Sequence, residues 1–271
     1  MMTQLQRDFF SRLQLPQQED VQFQDLHKIL LQMGRLLPYE NIDIMNGNTQ
    51  EVSKENIRSK LLLTNRGGLC YELNSLLYYF LSDYEFNVYR ISGTLFDSKS
   101  QKWGLDDGHV SIILQYKTET YIVDAGFASY LPLRPVPFNG EIVSSTTGQY
   151  RVRKQNTDKG THVLEMRKGE NGETSHFFDS ELTDTWSIGY AFSLEAINEE
   201  KVNTIQDTVI THSESPVNRG YIICKLIGNG HISLTKQNFT QTQNGKKFKK
   251  TITEKQFYQI LKTTFNIVLD N

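Results

Sequence analysis

Cysteine is scarce in this sequence, and its scarcity excludes two kinds of protein. The 271 residues include only Cys70 and Cys224, too few for a disulfide framework or for a zinc site with four cysteine ligands. Cys224 lies in the apolar run Tyr221-Ile-Ile-Cys-Lys-Leu-Ile227, which predicts a small hydrophobic thiol packed in the core. We expect both thiols to be reduced. Cys70 has different neighbours and needs a separate explanation.

An excess of charge of one sign and long hydrophobic runs are also missing. A formal net charge of −2 and a pI near 6.3 provide no basic surface for a nucleic acid. The first ten residues lack the apolar core of a secretory signal. No later stretch approaches the ~20 apolar residues that a membrane-spanning helix needs. These features predict a cytoplasmic protein that binds neither nucleic acid nor membrane.

The hydrophobic pattern changes along the chain. Apolar residues at spacings of three and four predict helices over 23–37, 52–63 and 69–80. Later β-branched and aromatic runs predict an antiparallel sheet. Its predicted strands are Asn87 to Phe96, His109 to Tyr116, Thr120 to Phe127, Gln149 to Lys154 and Thr161 to Arg167. Beyond Trp186, predicted helices over 198–207 and 254–265 flank strands at 220–227 and 231–236, and lysines over 246–250 are typical of an exposed strand edge.

Cys70 follows two glycines in the segment Thr64-Asn-Arg-Gly-Gly-Leu-Cys-Tyr-Glu-Leu-Asn74 and opens a predicted helix. Unpaired N–H groups and the positive end of the helix dipole favour a negatively charged sulfur at such a position. The same N–H groups are suited to hold a developing oxyanion. The alternative is that Gly67-Gly68 forms only a turn and that Cys70 is a core residue of the following helix face.

A thiol nucleophile needs a base, and the base needs a group that orients it. His109 begins one predicted strand and Asp124 lies near the end of the next, so both residues are expected at the same end of a hairpin. A lone histidine at a strand start is often only a polar residue, but this reading leaves Asp124 unexplained. The order Cys70, His109, Asp124 therefore predicts a catalytic triad.

Other catalytic chemistries lack their motifs in this sequence. There is no H-E-x-x-H, no phosphate-binding GxxxxGK and no GxGxxG. No further histidine lies at metal-ligand spacing from a cysteine or carboxylate. We therefore expect no metal ion and neither nucleotide hydrolysis nor dinucleotide redox chemistry.

Four motifs together resemble the arylamine N-acetyltransferases. They are Pro38-Tyr-Glu-Asn-Ile-Asp43, Arg66-Gly-Gly-Leu-Cys-Tyr-Glu72, Gly108-His-Val110 and Val123-Asp-Ala-Gly-Phe127, in the order and at the spacing of that family. The resemblance implies an α+β fold with an N-terminal helical bundle over 1–84, a central antiparallel β-barrel over 85–189 and a C-terminal α/β lid over 190–271. The core would be like that of a cysteine protease, with Cys70, His109 and Asp124 as its triad.

The resemblance also implies substrates and further site residues. Acetyl-CoA would donate an acetyl group to Cys70 in a ping-pong reaction, and an arylamine or hydrazine would accept it. Gly126, Thr211, Ser213 and Ser215 would bind the coenzyme, while Tyr39 and Phe127 would line the acceptor slot. The plain alternatives are turn-forming hydroxyl residues and core aromatics. The oligomeric state does not follow from the sequence.

The chain departs from the family pattern at Met33, where a histidine is frequent, at Ala128, where a glycine-type residue is frequent, and at Ser213 within Thr211-His-Ser. A thiol hydrolase or a transglutaminase-like enzyme would use the same triad order, and a silent binding protein is a further alternative.

Finally, Glu40 and Arg66 carry opposite charges in two of the motifs. We expect them to form a buried ion pair that anchors the loop before Cys70.

Overall fold

The computed structural model describes residues 1–169, 176–177, 180–181, 183–244 and 246–269. The helices, in chain order, are α1 (Gln4–Arg12), α2 (Leu26–Leu36), α3 (Ile42–Asn46), α4 (Lys54–Leu62), α5 (Cys70–Ser82), α6 (Glu199–Thr211) and α7 (Glu254–Phe265). Short 3₁₀ turns occupy Phe23–Asp25 and Pro216–Asn218. The strands are β1 (Tyr39–Glu40), β2 (Asn87–Asp97), β3 (Lys102–Trp103), β4 (His109–Tyr116), β5 (Glu119–Val123), β6 (Val136–Pro137), β7 (Val143–Ser145), β8 (Gly148–Thr157), β9 (Gly160–Arg167), β10 (His176–Phe177), β11 (Ser180–Glu181), β12 (Ser187–Phe192), β13 (Ile223–Ile227), β14 (Gly230–Leu234), β15 (Asn238–Gln243) and β16 (Lys246–Thr251).

An antiparallel sheet forms the middle of the molecule. Its strand order is β6-β5-β4-β2-β12-β9-β8-β7, with β3 paired to β2. The sheet curls so that β6 approaches β8, and its inner face is filled by apolar side chains such as Ile113, Tyr150, Leu164 and Phe192. The predicted α+β fold with a central antiparallel barrel is therefore confirmed.

Helix α5 is the element that joins the helical part to this sheet. It packs against α4 on one side and against β4 and β2 on the other. Because neighbours cover it on most sides, α5 is apolar around most of its circumference, unlike a surface helix with one apolar stripe. Its first residue is Cys70, so this packing fixes the nucleophile candidate at the rim of the barrel.

A second sheet, ordered β1-β13-β14-β15-β16, packs against α7. Cys224 lies in its interior and is buried, as predicted. The lysine-rich strand β16 forms an exposed edge, which also agrees with the sequence-based expectation. The first strand of this second sheet, β1, comes from the N-terminal part of the chain and pairs Tyr39 with Cys224 of β13. The predicted boundaries at residues 84 and 189 stay a prediction.

Several elements differ from the sequence-based prediction, and three of them bear on the site. Helix α1 was not predicted, although Thr3 and Gln6 form a capping box at its start. Strand β12 was also missed. The strand predicted over Thr120–Phe127 ends at Val123, because the Asp124 side chain accepts a hydrogen bond from the Gly126 amide at 2.8 Å and bends the chain in an Asx turn.

Among the described residues, no helix is both long enough and apolar enough to cross a membrane.

Gly67 provides a test of how tightly the loop before α5 is packed. A Cβ atom at Gly67 would lie 1.7 Å from the Pro38 carbonyl oxygen, a backbone atom that cannot move without shifting β1. We therefore expect Gly67→Ala to lower the free energy of unfolding by several kcal/mol. The matched control is Gly220→Ala, where a Cβ would meet nothing within 4 Å and the change should stay within ~0.5 kcal/mol. Equal denaturation midpoints for the two variants would contradict this packing.

Candidate active site

The loop before Cys70 is held by hydrogen bonds on every backbone amide from position 66 to 69. Arg66 N donates to Thr64 Oγ1, Gly67 N to Glu40 Oε1, Gly68 N to the Pro38 carbonyl and Leu69 N to Glu72 Oε2, at 3.0, 3.2, 3.1 and 2.9 Å respectively. Cys70 then begins α5 and is only 5% exposed. The nucleophile candidate thus stands on a fixed backbone, next to the free amides of the first helical turn.

Glu40 and Arg66 form the ion pair that was predicted from their charges. Arg66 donates from Nε and Nη2 to the two carboxylate oxygens of Glu40 at 2.8 and 3.1 Å. Glu40 is buried and also accepts the backbone amides of Ile42 and Gly67. The predicted fork is confirmed, and it ties the loop before Cys70 to β1 and to the start of α3.

His109 and Asp124 meet beside Cys70. His109 Nε2 lies 2.7 Å from Asp124 Oδ2, and both side chains are at most 2% exposed. Because Nε2 faces the carboxylate, Nδ1 is the ring nitrogen that remains for the hydrogen bond between His109 and the Cys70 side chain. The Cys70 sulfur also lies 3.8 Å from the Gly108 carbonyl oxygen. The three predicted catalytic side chains are therefore brought together in the expected order.

Asp124 accepts four hydrogen bonds, so its lone pairs are saturated. Besides His109, Oδ2 accepts the Tyr190 hydroxyl at 3.0 Å. Oδ1 accepts Asn74 Nδ2 at 2.9 Å and the Gly126 amide at 2.8 Å. Asn74 and Tyr190 were not predicted from the sequence. Asn74 had a usable signal, since it lies four residues after Cys70 and therefore on the same face of α5.

Burial and charge act in opposite directions on the ionisation of this pair. Burial alone would lower the pKa of His109, but electrostatic interactions and hydrogen bonds with Asp124 and Cys70 raise it to about 10. Burial would raise the pKa of Asp124, yet the His109 charge and hydrogen bonds from His109, Asn74 and Gly126 hold it below its usual value. Both shifts favour the charged pair, an imidazolium beside a carboxylate.

Cys224 is in a contrasting environment. It is buried in β13, and burial raises the pKa of its thiol to about 12. Both access and ionisation are therefore unfavourable at Cys224.

The residues predicted to line the acceptor slot lie close to the three predicted catalytic residues. The Phe127 ring is 5.4 Å from the His109 ring and 5.3 Å from Tyr190, between centroids. Tyr39 is near enough to Cys70 for the two side chains to interact electrostatically, and burial raises the pKa of its phenol. Both residues are thus at the site, although their role in binding an acceptor stays a prediction.

The residues predicted to bind coenzyme occupy two places. Gly126 lies directly against the nucleophile, and a Cβ atom there would be 2.6 Å from the Cys70 Cα. Thr211 ends α6 with its hydroxyl bonded to the Asp207 carbonyl, and Ser213 follows in the exposed turn. Ser215 is fully buried, and its hydroxyl has no partner among the described residues.

Ala128 adopts a backbone conformation that favours glycine. Its φ of +50° lies in the left-handed region, where a side chain is disfavoured. This provides the physical reason for a glycine-type residue being frequent at this position in the resembled family.

Comparison with known proteins decides the family. A family model described as N-acetyltransferase matches residues 22–271. The chain belongs to the arylamine N-acetyltransferase family. Its relatives include an uncharacterised acetyltransferase of Bacillus subtilis, 33% identical with 87% of each chain covered. Another is a probable arylamine N-acetyltransferase 2 of Dictyostelium discoideum, 27% identical over 98% of this chain and 95% of that one.

Solved structures of arylamine N-acetyltransferases share the fold closely. Arylamine N-acetyltransferase C of Bacillus anthracis superposes with a TM-score of 0.92 at 53% identity, covering 99% of this chain and 100% of that one. An arylamine N-acetyltransferase of Bacillus cereus gives the same TM-score at 44% identity and the same coverage. That enzyme is described as having a unique Cys-His-Glu catalytic triad, whereas the carboxylate against His109 in the present family member is an aspartate.

The Glu40–Arg66 pair provides a stability test of this N-acetyltransferase. Glu40→Gln removes the buried charge that holds Arg66 and two backbone amides and leaves Asp43 as the remaining partner of Arg66, so it should lower the free energy of unfolding by ~3 kcal/mol. The same substitution at Glu55, which pairs with Arg58 but is 72% exposed, should cost less than ~1 kcal/mol. Urea denaturation of the two variants makes the comparison. Indistinguishable losses would show that the Glu40 charge is not held by the fold.

The pKa of His109 predicts a pH dependence of stability. The folded value of about 10 exceeds the ~6.5 of an unfolded histidine, so the stabilisation is fully present below pH ~6.5 and is lost as pH rises through about 10. The difference in unfolding free energy between wild type and His109→Gln should therefore shrink steadily across this window. Denaturation series at several pH values provide the measurement. A difference that grows with pH would mean that His109 is neutral in the folded protein.

Proposed function

We propose that this protein transfers an acetyl group from acetyl-CoA to an arylamine, an arylhydrazine or a related amine through an acetyl group carried on Cys70. The observation that carries the proposal is the buried line from the Cys70 sulfur through the His109 ring to Asp124. Membership of the arylamine N-acetyltransferase family supports acetyl-CoA as donor and an aromatic amine as acceptor.

In the first half-reaction, the negatively charged Cys70 sulfur attacks the thioester carbonyl of acetyl-CoA. The tetrahedral intermediate collapses with loss of CoA thiolate, and the His109 imidazolium supplies the proton that this leaving sulfur takes up. In the second half-reaction, the acceptor nitrogen attacks the acetyl-Cys70 carbonyl and gives its proton to the now neutral His109. The Cys70 sulfur leaves with the electron pair of the broken bond, so the enzyme returns to its starting state.

Asp124 does not exchange protons in this scheme. It fixes the tautomer and the orientation of His109 by accepting from Nε2, and its charge stabilises the imidazolium. The negative oxygen that develops in both half-reactions needs donors. We assign this role to the backbone amides at positions 70 and 71, which have no partner within α5 because they belong to its first turn.

The two substrates would bind on either side of the triad. Phe127 and Tyr39 would form an apolar wall for the acceptor ring, in keeping with their position around His109 and Cys70. Gly126 would let the coenzyme arm approach the sulfur, and Thr211, Ser213 and Ser215 would contact the coenzyme. An arylamine N-acetyltransferase of Mycobacterium marinum has been solved in complex with CoA, at 20% identity and a TM-score of 0.81, which supports a shared fold.

Intact-protein mass spectrometry tests the proposed intermediate. Mixing the protein with acetyl-CoA alone should give one acetyl group per chain, located on Cys70 by peptide mapping. Cys70→Ser should fold with unchanged stability and acquire no acetyl group, since a neutral alcohol is a far weaker nucleophile than a thiolate. Cys224→Ser is the matched control and should be acetylated at the wild-type rate.

The acceptor is tested by adding aniline to the acetylated protein. The acetyl group should leave the protein faster with aniline than with buffer alone, and acetanilide should form in equal amount. Loss of the acetyl group at the same rate with and without aniline, with acetate as product, would favour the thiol hydrolase instead.

A further inference from the structure

Lys60 connects two carboxylates, those of Asp43 and of Glu72, the latter two residues after Cys70. Its Nζ lies 2.6 Å from Asp43 Oδ2 and 2.6 Å from Glu72 Oε1. Its side chain is only 19% exposed, so these contacts form in a largely desolvated place on the inner face of α4. Neither the proposed reaction nor the Glu40–Arg66 pair by itself explains why a lysine should be held there.

Glu72 carries the contact from Lys60 to the backbone beside Cys70. Its second oxygen accepts the Leu69 amide at 2.9 Å, directly before the nucleophile. The Glu72 carboxylate also packs against Gly68, the residue before Leu69. A Cβ atom at Gly68 would lie 2.5 Å from Glu72 Oε2. Glu72 therefore caps α5 from within its first turn and determines the path of the chain into Cys70.

The ionisable groups around Glu72 lie on three neighbouring elements and on α5 itself. Lys60 of α4 and Glu40 of β1 act on it directly, and Tyr71 lies next to it in α5. Asp43 of α3 shares Lys60 with it, and Asp43 is also paired with Arg66 at 2.8 Å. Burial raises the pKa of Glu72, and the Lys60 charge and hydrogen bond are the first of the influences that lower it.

We propose that Lys60 is a positioning residue for Cys70, acting by neutralising Glu72 and by holding its carboxylate against the Leu69 amide. The proposal rests on the proposed role of Cys70 as nucleophile. Without Lys60, Glu72 has two options at neutral pH. If it stays ionised, an uncompensated buried charge remains two residues from Cys70, at the start of the same helix, and disfavours negative charge on the sulfur. If it takes up a proton, the group facing the Leu69 amide becomes a carboxylic acid, which is a poorer acceptor than a carboxylate or an amide oxygen, and the start of α5 loosens.

Both outcomes lower the reactivity of Cys70, and both depend on the charge of Glu72. This leads to a rescue that a purely stabilising lysine would not show. In Lys60→Met/Glu72→Gln, the amide oxygen still accepts from Leu69, but no carboxylate charge is left to compensate. Cys70 should therefore regain its reactivity although Lys60 is still missing.

The rate of alkylation of Cys70 by iodoacetamide, measured by intact mass at a series of pH values on folded protein, tests this proposal. We expect Lys60→Met to react about tenfold more slowly than wild type near pH 7, the factor that ~1.4 kcal/mol represents. Lys60→Met/Glu72→Gln should return to within about twofold of wild type. Lys54→Met is the matched control, because Lys54 lies in the same helix and pairs with Asp83 while 47% exposed, and it should react at the wild-type rate. Cys224 adds no background, since it is buried and its pKa is high.

The proposal would be overturned if Cys70 of Lys60→Met were alkylated at the wild-type rate. It would also be overturned if Lys60→Met were alkylated slowly and adding Glu72→Gln did not restore the rate. If Lys60→Met does not fold, Lys60→Gln keeps donors for both carboxylates while removing the charge, and the same comparison with and without Glu72→Gln applies. Alkylation requires no acetyl donor, so the result is separate from the test of acetyl transfer. A wild-type protein that fails to transfer acetyl groups would contradict the proposed function and leave this measurement valid.

Discussion

The buried Asp124 carboxylate is the group on which the arrangement of the site depends. Its two oxygens accept hydrogen bonds from α5 through Asn74, from β4 through His109, from β12 through Tyr190 and from its own loop through the Gly126 amide. A buried carboxylate is costly unless its lone pairs are satisfied, so these four donors cannot move apart independently. One charge therefore fixes the positions of a helix, two strands and a turn, and Cys70 is placed by the first of them.

Buried charge is used again in the network before Cys70, where Glu40, Asp43 and Glu72 alternate with Arg66 and Lys60. Such a network contributes little net stability, because desolvation offsets most of the attraction. Its effect is on geometry, since the Glu40 and Glu72 carboxylates, each held by a cation, in turn accept backbone amides. The loop that contains two glycines would otherwise have many accessible conformations.

Features with local signals were predictable from the sequence, and features formed by distant segments were not. The family, the α+β class and the Glu40–Arg66 pair are confirmed, and the side chains of Cys70, His109 and Asp124 lie together as expected, with their catalytic roles still a prediction. Asn74 could have been predicted, because helical spacing places it on the same face of α5 as Cys70. Tyr190 was not, since β12 inserts between β2 and β9, and nothing in its own sequence specifies that register. The turn at Asp124 was missed because an apolar run continues past it to Phe127.

The pairing of β1 with β13 has a consequence for the order of events during protein synthesis. Asn41, next to β1, donates to the carbonyls of Val217 and Gly220 at 2.6 and 2.7 Å, across more than half of the chain. The Pro38–Asn41 segment that holds the nucleophile loop is therefore secured only after the ribosome has released residues beyond β13, since long-range contacts must wait for both partners. A nascent chain that already contains Cys70, His109 and Asp124 still lacks this support. The arrangement delays assembly of the reactive thiol until translation is nearly finished.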